Sequence, residues 1–146
     1  MRLALHTDYA LRTLIYLALH GRRASIGQIA GFFGISKDHL AKVAQRLSQE
    51  LLVRSIRGVG GGLELARDAE DIRIGQVIER FEGGMHFLDC AVMEDVCVIQ
   101  PGCRLRDVLI EAERLQRDYL NNVTLADIVA GESDLVQLTL PAAGAR

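Results

Sequence analysis

The sequence predicts a mainly α-helical protein with one small β-hairpin. Three observations support this fold class: apolar residues recur at the helical period through most of the chain, two short apolar runs flank a glycine-rich turn, and the longest helical pattern comes late. The 146 residues fit one ordinary domain or a small domain with an appendage for dimerisation. Hydrophobic residues make up 49% of the chain and charged residues 25%, which is typical of a globular protein, and aromatic residues at 5% predict a mostly aliphatic core.

Three helices are predicted in the first third of the chain. The first covers residues 7–20 and ends at Gly21. Ser25 can cap the second helix, which runs to about residue 33, and Gln28 three residues later completes a capping box. The third helix follows a cap at Ser36 and reaches about residue 50, and its inward-facing residues are Leu40, Val43, Ala44 and Leu47.

The second and third helices have the spacing of a helix-turn-helix, at about residues 26–45. Ala30 is small enough for two helices to cross steeply, and Gly34 four residues later tolerates the positive φ of a tight turn. A recognition helix meets base edges and phosphates near the start of its exposed face. The residues expected there are Ser36, Lys37, His39 and Lys42.

A β-hairpin is predicted at about residues 53–65, with a flexible glycine-rich tip. A basic hairpin directly after a helix-turn-helix is typical of a winged helix. Arg54 and Arg57 can contact phosphate or enter the minor groove, and the glycines let backbone N–H groups approach closely. The candidate DNA-contacting residues are therefore Ser25, Gln28, Ser36, Lys37, His39, Lys42, Arg54, Arg57 and Gly60.

Two further helices and a loop are predicted after the hairpin. A short helix covers residues 74–81, and Gly83 and Gly84 open a loop that carries the cysteines. The longest helix covers residues 105–123, and its apolar seam is Leu105, Val108, Ala112, Leu115 and Tyr119. A long apolar seam commonly pairs with its own copy, so a homodimer is expected in preference to a helix that packs back on its own domain.

The charge is divided unevenly along the chain. Residues 1–67 contain ten lysines and arginines against four acidic residues, a net charge of +6, whereas residues 68–146 carry a net charge of −8. A basic half joined to an acidic half indicates a polyanion-binding module linked to another function. Double-stranded DNA is the expected polyanion, because the chain lacks the aromatic stacking surfaces that are typical of single-strand RNA readers.

The three cysteines, Cys90, Cys97 and Cys103, lie in one loop with an acidic run. Their spacing is unlike the Cys-x2-Cys pairs of structural zinc sites and of thiol–disulfide enzymes. In a reducing compartment this clustering suggests a metal or a reactive thiol more than a disulfide framework. Three thiolates can surround an iron–sulfur cluster if a fourth ligand comes from elsewhere. Inert buried cysteines, one oxidisable thiol and a zinc-stabilised interaction module are the alternatives.

Several protein classes are disfavoured. No apolar run approaches the ~18 residues that span a bilayer, and the N-terminus lacks a signal-peptide pattern, so a cytoplasmic protein without membrane contact is expected. An enzyme is the least expected class, because the histidines show no spacing to a nucleophile that would make a triad or dyad. These histidines are His6, His20, His39 and His86.

Four stretches of the chain match the motifs of a known family. They are the opening Thr7-Asp8-Tyr9-Ala10-Leu11-Arg12, the helix-turn-helix, the wing Arg57-Gly58-Val59-Gly60-Gly61-Gly62, and the three-cysteine loop followed by Arg104-Leu105. Together they resemble the Rrf-type winged-helix regulators, over residues 1 to about 130. The opening and Leu125-Ala126-Asp127-Ile128-Val129 look most like the nitric oxide-sensing repressors of that family. Relatives that regulate cluster biogenesis carry a histidine just after the third cysteine, and residues 104–107 contain none, although His86 upstream is a possible ligand.

The resemblance implies a nitric oxide-sensitive repressor that binds operator DNA as a homodimer. It implies one iron–sulfur cluster per subunit, 4Fe–4S in preference to 2Fe–2S, held by Cys90, Cys97 and Cys103. In the nitric oxide-sensing branch an aspartate from the partner's first helix completes the coordination, and Asp8 is the matching position. Arg12, one turn further on, can pair with Asp8.

The expected organisation follows from these motifs. A winged-helix domain at residues 1–82 precedes a cluster-binding loop at 83–104, a dimerisation helix and C-terminal helix at 105–130, and a tail at 131–146. The alternative functions are a redox- or iron-status-responsive regulator of the same family and a zinc-stabilised interaction module.

Overall fold

The structure is a computed structural model that describes residues 2–131, and within them the mainly helical fold with one hairpin is confirmed. In chain order its elements are α1 (Leu5–His20), α2 (Ile26–Phe33), α3 (Lys37–Gln49), β1 (Val53–Ile56), β2 (Gly62–Leu65), α4 (Ile74–Glu82), α5 (Arg104–Asn122) and α6 (Leu125–Val129). Single turns of 3-10 helix lie at Ala69–Asp71, Asp89–Ala91 and Gln100–Gly102. The predicted tail lies, from residue 132 onward, outside the described residues.

The helix α1 lies at the centre of the core, where it contacts α3, α4, α6 and β2. The core is mostly aliphatic, as predicted from the composition. α1 begins at Leu5, two residues earlier than the periodicity predicts, because the Ala4 carbonyl accepts hydrogen bonds from the N–H groups of Thr7 and Asp8. Alanine is a poor capping residue, so the sequence carries no start signal at that position.

Both predicted caps of the helix-turn-helix are present. The Ser25 hydroxyl accepts a hydrogen bond from the backbone N–H of Gln28 at 3.1 Å, and the Gln28 side chain accepts one from the backbone N–H of Ser25 at 2.7 Å. Gly34 ends α2 with a φ of +65°, a conformation that glycine adopts without strain. The Ser36 hydroxyl then caps α3. The turn between the helices is therefore determined by local sequence.

The hairpin is antiparallel, with Val53 opposite Leu65 at its open end. Ala24, just before α2, exchanges two backbone hydrogen bonds with Leu63 of β2. This bridge holds the hairpin beside the helix-turn-helix. It also requires glycine at position 62, because a Cβ on Gly62 would lie 2.6 Å from the Ala24 carbonyl oxygen.

The helices α4 and α5 pack closely against each other. A Cβ on Gly75 of α4 would lie 2.8 Å from the backbone nitrogen of Asn121, so the small residue allows this approach. A bridge between Arg73 and Thr124 then directs α6 back to α1, where Leu125 is fully buried. Among the described helices, none combines the length and apolar character that a membrane crossing needs.

Candidate nucleic-acid interface and cysteine loop

The recognition helix α3 presents a polar, basic face to solvent. Lys37, His39 and Lys42 are exposed, whereas Leu40 and Val43 are buried in the core. The buried side chains anchor the helix, and the cationic ones remain available to a groove and its phosphates. The structure therefore places these predicted contacts on the exposed side of the helix.

Three predicted DNA contacts form one patch at the start of α2. The side chains of Ser25 and Lys37 both lie next to Gly27. A Cβ built on Gly27 would be 3.8 Å from the Ser25 hydroxyl and 3.9 Å from Cε of Lys37. Gln28 belongs to the same patch through its capping box with Ser25. Unpaired N–H groups at a helix start favour an anion such as phosphate.

In the wing, the two predicted arginines have different surroundings. Arg54 forms an ion pair with Glu64 across the hairpin, and Arg23 pairs with the same carboxylate at 3.1 Å. The hydrogen bonds from Arg54 and then Arg23 hold the pKa of Glu64 below its ordinary value. Arg57 lies in the exposed tip, and no carboxylate among residues 2–131 pairs with it. Arg57 is therefore the wing arginine whose charge is not already neutralised.

Arg23 is a third arginine at the wing, which the sequence patterns do not predict. Its guanidinium also donates a hydrogen bond to the Gly60 carbonyl at 3.1 Å, and so ties the wing tip to the segment before α2. Nothing in the local sequence distinguishes Arg23 from its neighbour Arg22, because the contact depends on a residue 37 positions away.

The three cysteines are free thiols at different depths in the loop between α4 and α5. Cys90 and Cys103 are half-buried and Cys97 is exposed. Within residues 2–131, no three histidine, cysteine, aspartate or glutamate side chains gather closely enough to hold one metal ion. The donor set fits an iron–sulfur cluster in its chemistry, because soft thiolates are the ligands such clusters use. The loop would have to bring its sulfur atoms together to bind one.

Arg106 of α5 holds the loop from one side. Its Nε donates a hydrogen bond to the Cys90 carbonyl at 2.6 Å, and its guanidinium pairs with Glu94 at 3.2 Å. With Cys97 and Cys103 it lines a pocket of about 520 Å³. The acidic run of the loop therefore has a cationic partner on α5.

A buried carboxylate on α5 anchors the start of the same loop. Glu113 is 5% exposed and accepts a hydrogen bond from the backbone N–H of Phe87 at 2.6 Å. Nδ1 of His86 lies 3.1 Å from the other Glu113 oxygen. His86, the upstream ligand candidate, therefore already has a partner. In the sequence Glu113 is one more acid on a helix, because its burial arises only when the loop folds over α5.

Asp8 lies in the first turn of α1 and forms the ion pair with Arg12 that its spacing allows, with contacts of 2.8 Å. The Asp8 side chain is 37% exposed. It lines a hollow with residues 2–5, whereas Cys97 and Cys103 line a different one. Within one chain, Asp8 and the cysteine pocket are therefore separate.

The start of α1 is bonded to the end of α4. The Glu82 carboxylate accepts hydrogen bonds from the Ala4 N–H, at 2.9 Å, and from the Thr7 hydroxyl. Burial acts to raise the pKa of Glu82, but these hydrogen bonds outweigh it and the pKa is lowered. His6 Nε2 also lies 2.9 Å from the Phe81 carbonyl oxygen.

The recognition helix is braced against the same end of α4. The Arg46 guanidinium lies 4.6 Å from the centroid of the Phe81 ring and donates a hydrogen bond to the Arg80 carbonyl at 2.6 Å. Arg80 in turn donates to the Glu50 carbonyl at the end of α3. The end of α4 thus contacts both the recognition helix and the start of α1, and it leads directly into the cysteine loop.

The predicted seam of α5 is exposed in the single chain. Leu105, Val108, Leu115 and Tyr119 are 56 to 71% exposed, and Ala112 is half-buried. The helix therefore does not pack this seam back on its own domain. An apolar stripe of this length on a small protein is typical of an interface.

A family model described as Rrf2, Iron-dependent Transcriptional regulator, matches residues 3–131. Two similar curated proteins bear the name HTH-type transcriptional regulator NsrR. The one from Bacillus subtilis (strain 168) is 43% identical over 141 residues, which cover 94% of this chain and 97% of the relative. The one from Shouchella clausii (strain KSM-K16) is 38% identical over 138 residues, which cover 92% and 93%.

Two solved structures have a similar fold. CymR (YrzC), the global cysteine regulator of B. subtilis, superposes with a TM-score of 0.75 at 26% identity, over 89% of this chain and 97% of that one. IscR of T. potens superposes with a TM-score of 0.73 at 26% identity, over 99% and 94%. The fold predicted from the sequence, a winged helix-turn-helix with a long additional helix, is confirmed by these likenesses.

Proposed function

We propose that this chain, which belongs to the Rrf2 family of transcriptional regulators, is a nitric oxide-sensitive repressor that binds operator DNA as a homodimer and senses through an iron–sulfur cluster. One observation carries the proposal: the end of α4 contacts both the recognition helix and the start of α1, and it continues into the loop with three free cysteines. The relatives named NsrR and the iron-dependent family description support it. A regulator of this kind acts on the chromosome, so the proposed location is the cytoplasm.

The DNA-binding surface in this proposal is α3 with the wing. Lys37 and Lys42 contact phosphates, and Ser36 and His39 reach base edges from the start of the recognition helix. Arg57 and the backbone at Gly60 approach the phosphate or the minor groove beside it. Arg54 contributes less, because Glu64 already pairs with it.

The residues that hold the iron–sulfur cluster are Cys90, Cys97 and Cys103, one set per subunit, with 4Fe–4S preferred to 2Fe–2S. When bound, the group supplies iron to which nitric oxide can bind. Arg106 contributes a positive charge beside the pocket that Cys97 and Cys103 line.

Asp8 of the partner subunit supplies the fourth ligand in this proposal. Asp8 is partly exposed, and the pair it forms with Arg12 lies on the surface, where such a pair is worth roughly 0–1 kcal/mol. The carboxylate can therefore leave Arg12 for another partner at little cost. Since Asp8 follows directly after Thr7, which bonds to Glu82, a displacement of Asp8 reaches the end of α4 and the Arg46 brace on α3.

The homodimer pairs the exposed seams of α5. Such an arrangement sets the distance between two recognition helices, which must match successive major grooves. A movement of α1 and α4 against α3 changes that distance, and so couples the cysteine loop to operator affinity.

The test is anaerobic purification followed by operator binding under separate titrations with nitric oxide, peroxide and an iron chelator. We expect a brown protein whose operator affinity falls with nitric oxide at doses where peroxide has little effect. Variants with alanine at any one cysteine are the controls, and they should fold and dimerise without a stable cluster. A response to peroxide alone would contradict the proposal.

A mixed dimer tests the origin of the fourth ligand. One subunit carries Asp8→Ala, and the other carries Cys97→Ala. The first keeps its cysteines and receives Asp8 from its partner, so we expect one cluster with a native-like spectrum. A spectrum that matches the Asp8→Ala homodimer would contradict a ligand from the partner.

A second candidate is a redox-responsive regulator of the same family. The observation that favours it is Cys97, which is both free and exposed and is therefore accessible to oxidants. In that case peroxide alone should change operator affinity. A zinc-stabilised interaction module would instead be colourless and would not respond to nitric oxide.

A further inference from the structure

Gln100, in the loop between α4 and α5, has a buried side chain that bonds to residues 90–96 of the same loop. It is 6% exposed although it is polar. Its Nε2 donates hydrogen bonds to the carbonyls of Met93, at 2.7 Å, and Cys90, at 3.3 Å, and its Oε1 accepts one from the backbone N–H of Val96 at 3.2 Å. Both amide protons and the carbonyl oxygen are therefore used, which is what a buried amide requires.

Gln100 also bonds to the other two cysteines through its own backbone. Its N–H donates to the Cys97 carbonyl at 3.1 Å, and its carbonyl accepts from the Cys103 N–H at 3.3 Å. One residue thus contacts the peptide groups of all three cysteines. Cys90 is reached by the side chain, and Cys97 and Cys103 are reached by the single 3-10 turn that Gln100 starts.

The chemistry of the side chain fixes its orientation. The groups near Nε2 are two carbonyl oxygens, which only accept, and the group near Oε1 is an N–H, which only donates. A rotated amide would set its oxygen against two oxygens and its nitrogen against a donor, so it would lose all three hydrogen bonds. Glutamine can satisfy this arrangement, whereas methionine offers no donor and ionised glutamate only acceptors.

We propose that Gln100 is a positioning residue that holds the peptides of Cys90, Cys97 and Cys103 in the arrangement from which their thiolates take up and retain the iron–sulfur cluster. The inference rests on the proposed function for the presence of that group. A loop held together before binding loses less conformational entropy when its ligands close on a common centre. Gln100 needs no contact with the cluster to act in this way, because it acts through the backbone of its ligands.

The test compares Gln100→Met, Gln100→Glu and the control Gln76→Met with the wild type in anaerobic reconstitution. Gln100→Met keeps the length of the side chain without its hydrogen bonds, and Gln100→Glu keeps the acceptor but not the donors. Gln76 is exposed on α4. The readouts are iron and sulfide per subunit, the visible spectrum, and the rate at which a chelator removes the absorbance. Melting and sedimentation of the apo-protein are measured in parallel.

We expect both Gln100 variants to keep the melting temperature and oligomeric state of the apo-protein, since the part of the loop at residues 86–103 contributes no side chain to the hydrophobic core. We expect chelator-driven loss to be roughly 10- to 100-fold faster, the size of effect typical for groups that hydrogen-bond to metal ligands. Gln76→Met should match the wild type.

Three results would overturn the proposal, and they are distinguishable. Equal retention in Gln100→Met and wild type would show that the hydrogen bonds do not position the ligands, while the proposed function would stand. Loss of the apo fold in both Gln100 variants would make Gln100 a general folding residue. A wild type that takes up no iron and sulfide would remove the proposed function and this inference together.

Discussion

Leu115→Asp on α5 is expected to weaken dimerisation strongly. Leu115 is 56% exposed in the single chain. Burial of a whole leucine side chain contributes roughly 1.5–3 kcal/mol, so covering the exposed part in both subunits contributes about 2 kcal/mol to a dimer. That free energy corresponds to about 30-fold in the dissociation constant. Aspartate removes this contribution and adds the cost of an uncompensated charge, so we expect at least about 100-fold weaker association.

Sedimentation velocity over a concentration series measures this change. The matched control is Asp118→Asn on the polar face of the same helix, which alters only a surface pair with Arg114 and should leave the dissociation constant unchanged. Operator affinity should fall with dimerisation in Leu115→Asp, because two linked recognition helices bind more tightly than one. A Leu115→Asp protein that dimerises as tightly as the wild type would refute the assignment of the seam.

The remaining predictions concern DNA binding, packing and acid stability. Lys42→Ala and Arg57→Ala should each weaken binding to every DNA sequence and lower the salt slope by about 1, because each would remove one of the proposed phosphate contacts. Fluorescence anisotropy over a salt series measures this slope, and an unchanged slope would contradict the proposed DNA contacts. Gly75→Ala should lower the free energy of unfolding by about 1–3 kcal/mol, because its Cβ would meet a backbone nitrogen of α5 at 2.8 Å. The control is Gly31→Ala, which should be neutral or stabilising by up to about 1 kcal/mol because no atom lies within 4 Å of the added Cβ. Urea unfolding measures both variants. If Gly31→Ala and Gly75→Ala lost the same free energy of unfolding, α4 and α5 would not be in such close contact. The pKa of Glu82 is lowered in the fold, so its stabilising effect is present above its ordinary pKa of 4.5 and is lost as the pH falls through the folded value. Glu82→Gln should therefore flatten the acid side of the stability profile, and an unaltered profile would contradict the assigned hydrogen bonds.

Predictions from the sequence were most accurate where neighbouring residues determine the structure. Two of these features join residues three to four positions apart, namely the capping box of Ser25 and Gln28 and the ion pair of Asp8 with Arg12. The third, the turn at Gly34, depends on the backbone conformation of one residue. The helix α1 begins two residues earlier than predicted. The carboxylate that bonds the Ala4 N–H at this start belongs to Glu82, 78 positions away, so no local signal marks it.

The candidate sites divide in the same way. Composition and spacing indicated a basic recognition helix, a wing and three cysteines in one loop. They did not indicate that Glu64 neutralises Arg54 or that Arg23 holds the wing tip. Nor did they single out Gln100, Glu113 or Arg106, the residues that hold the cysteine loop.

By itself, the sequence determined the order of the helices, the hairpin, the position of the turn and the grouping of three cysteines in one loop, because periodicity, capping and residue chemistry act over a few neighbours. Only the tertiary structure decided which side chains are already paired and which stay available. The carboxylate of Glu113 becomes an anchor only because the loop folds over α5 and removes it from water, and the seam on α5 remains exposed only because α4 and the loop cover other parts of that helix. Burial and pairing arise from contacts between distant segments, and no local pattern records them.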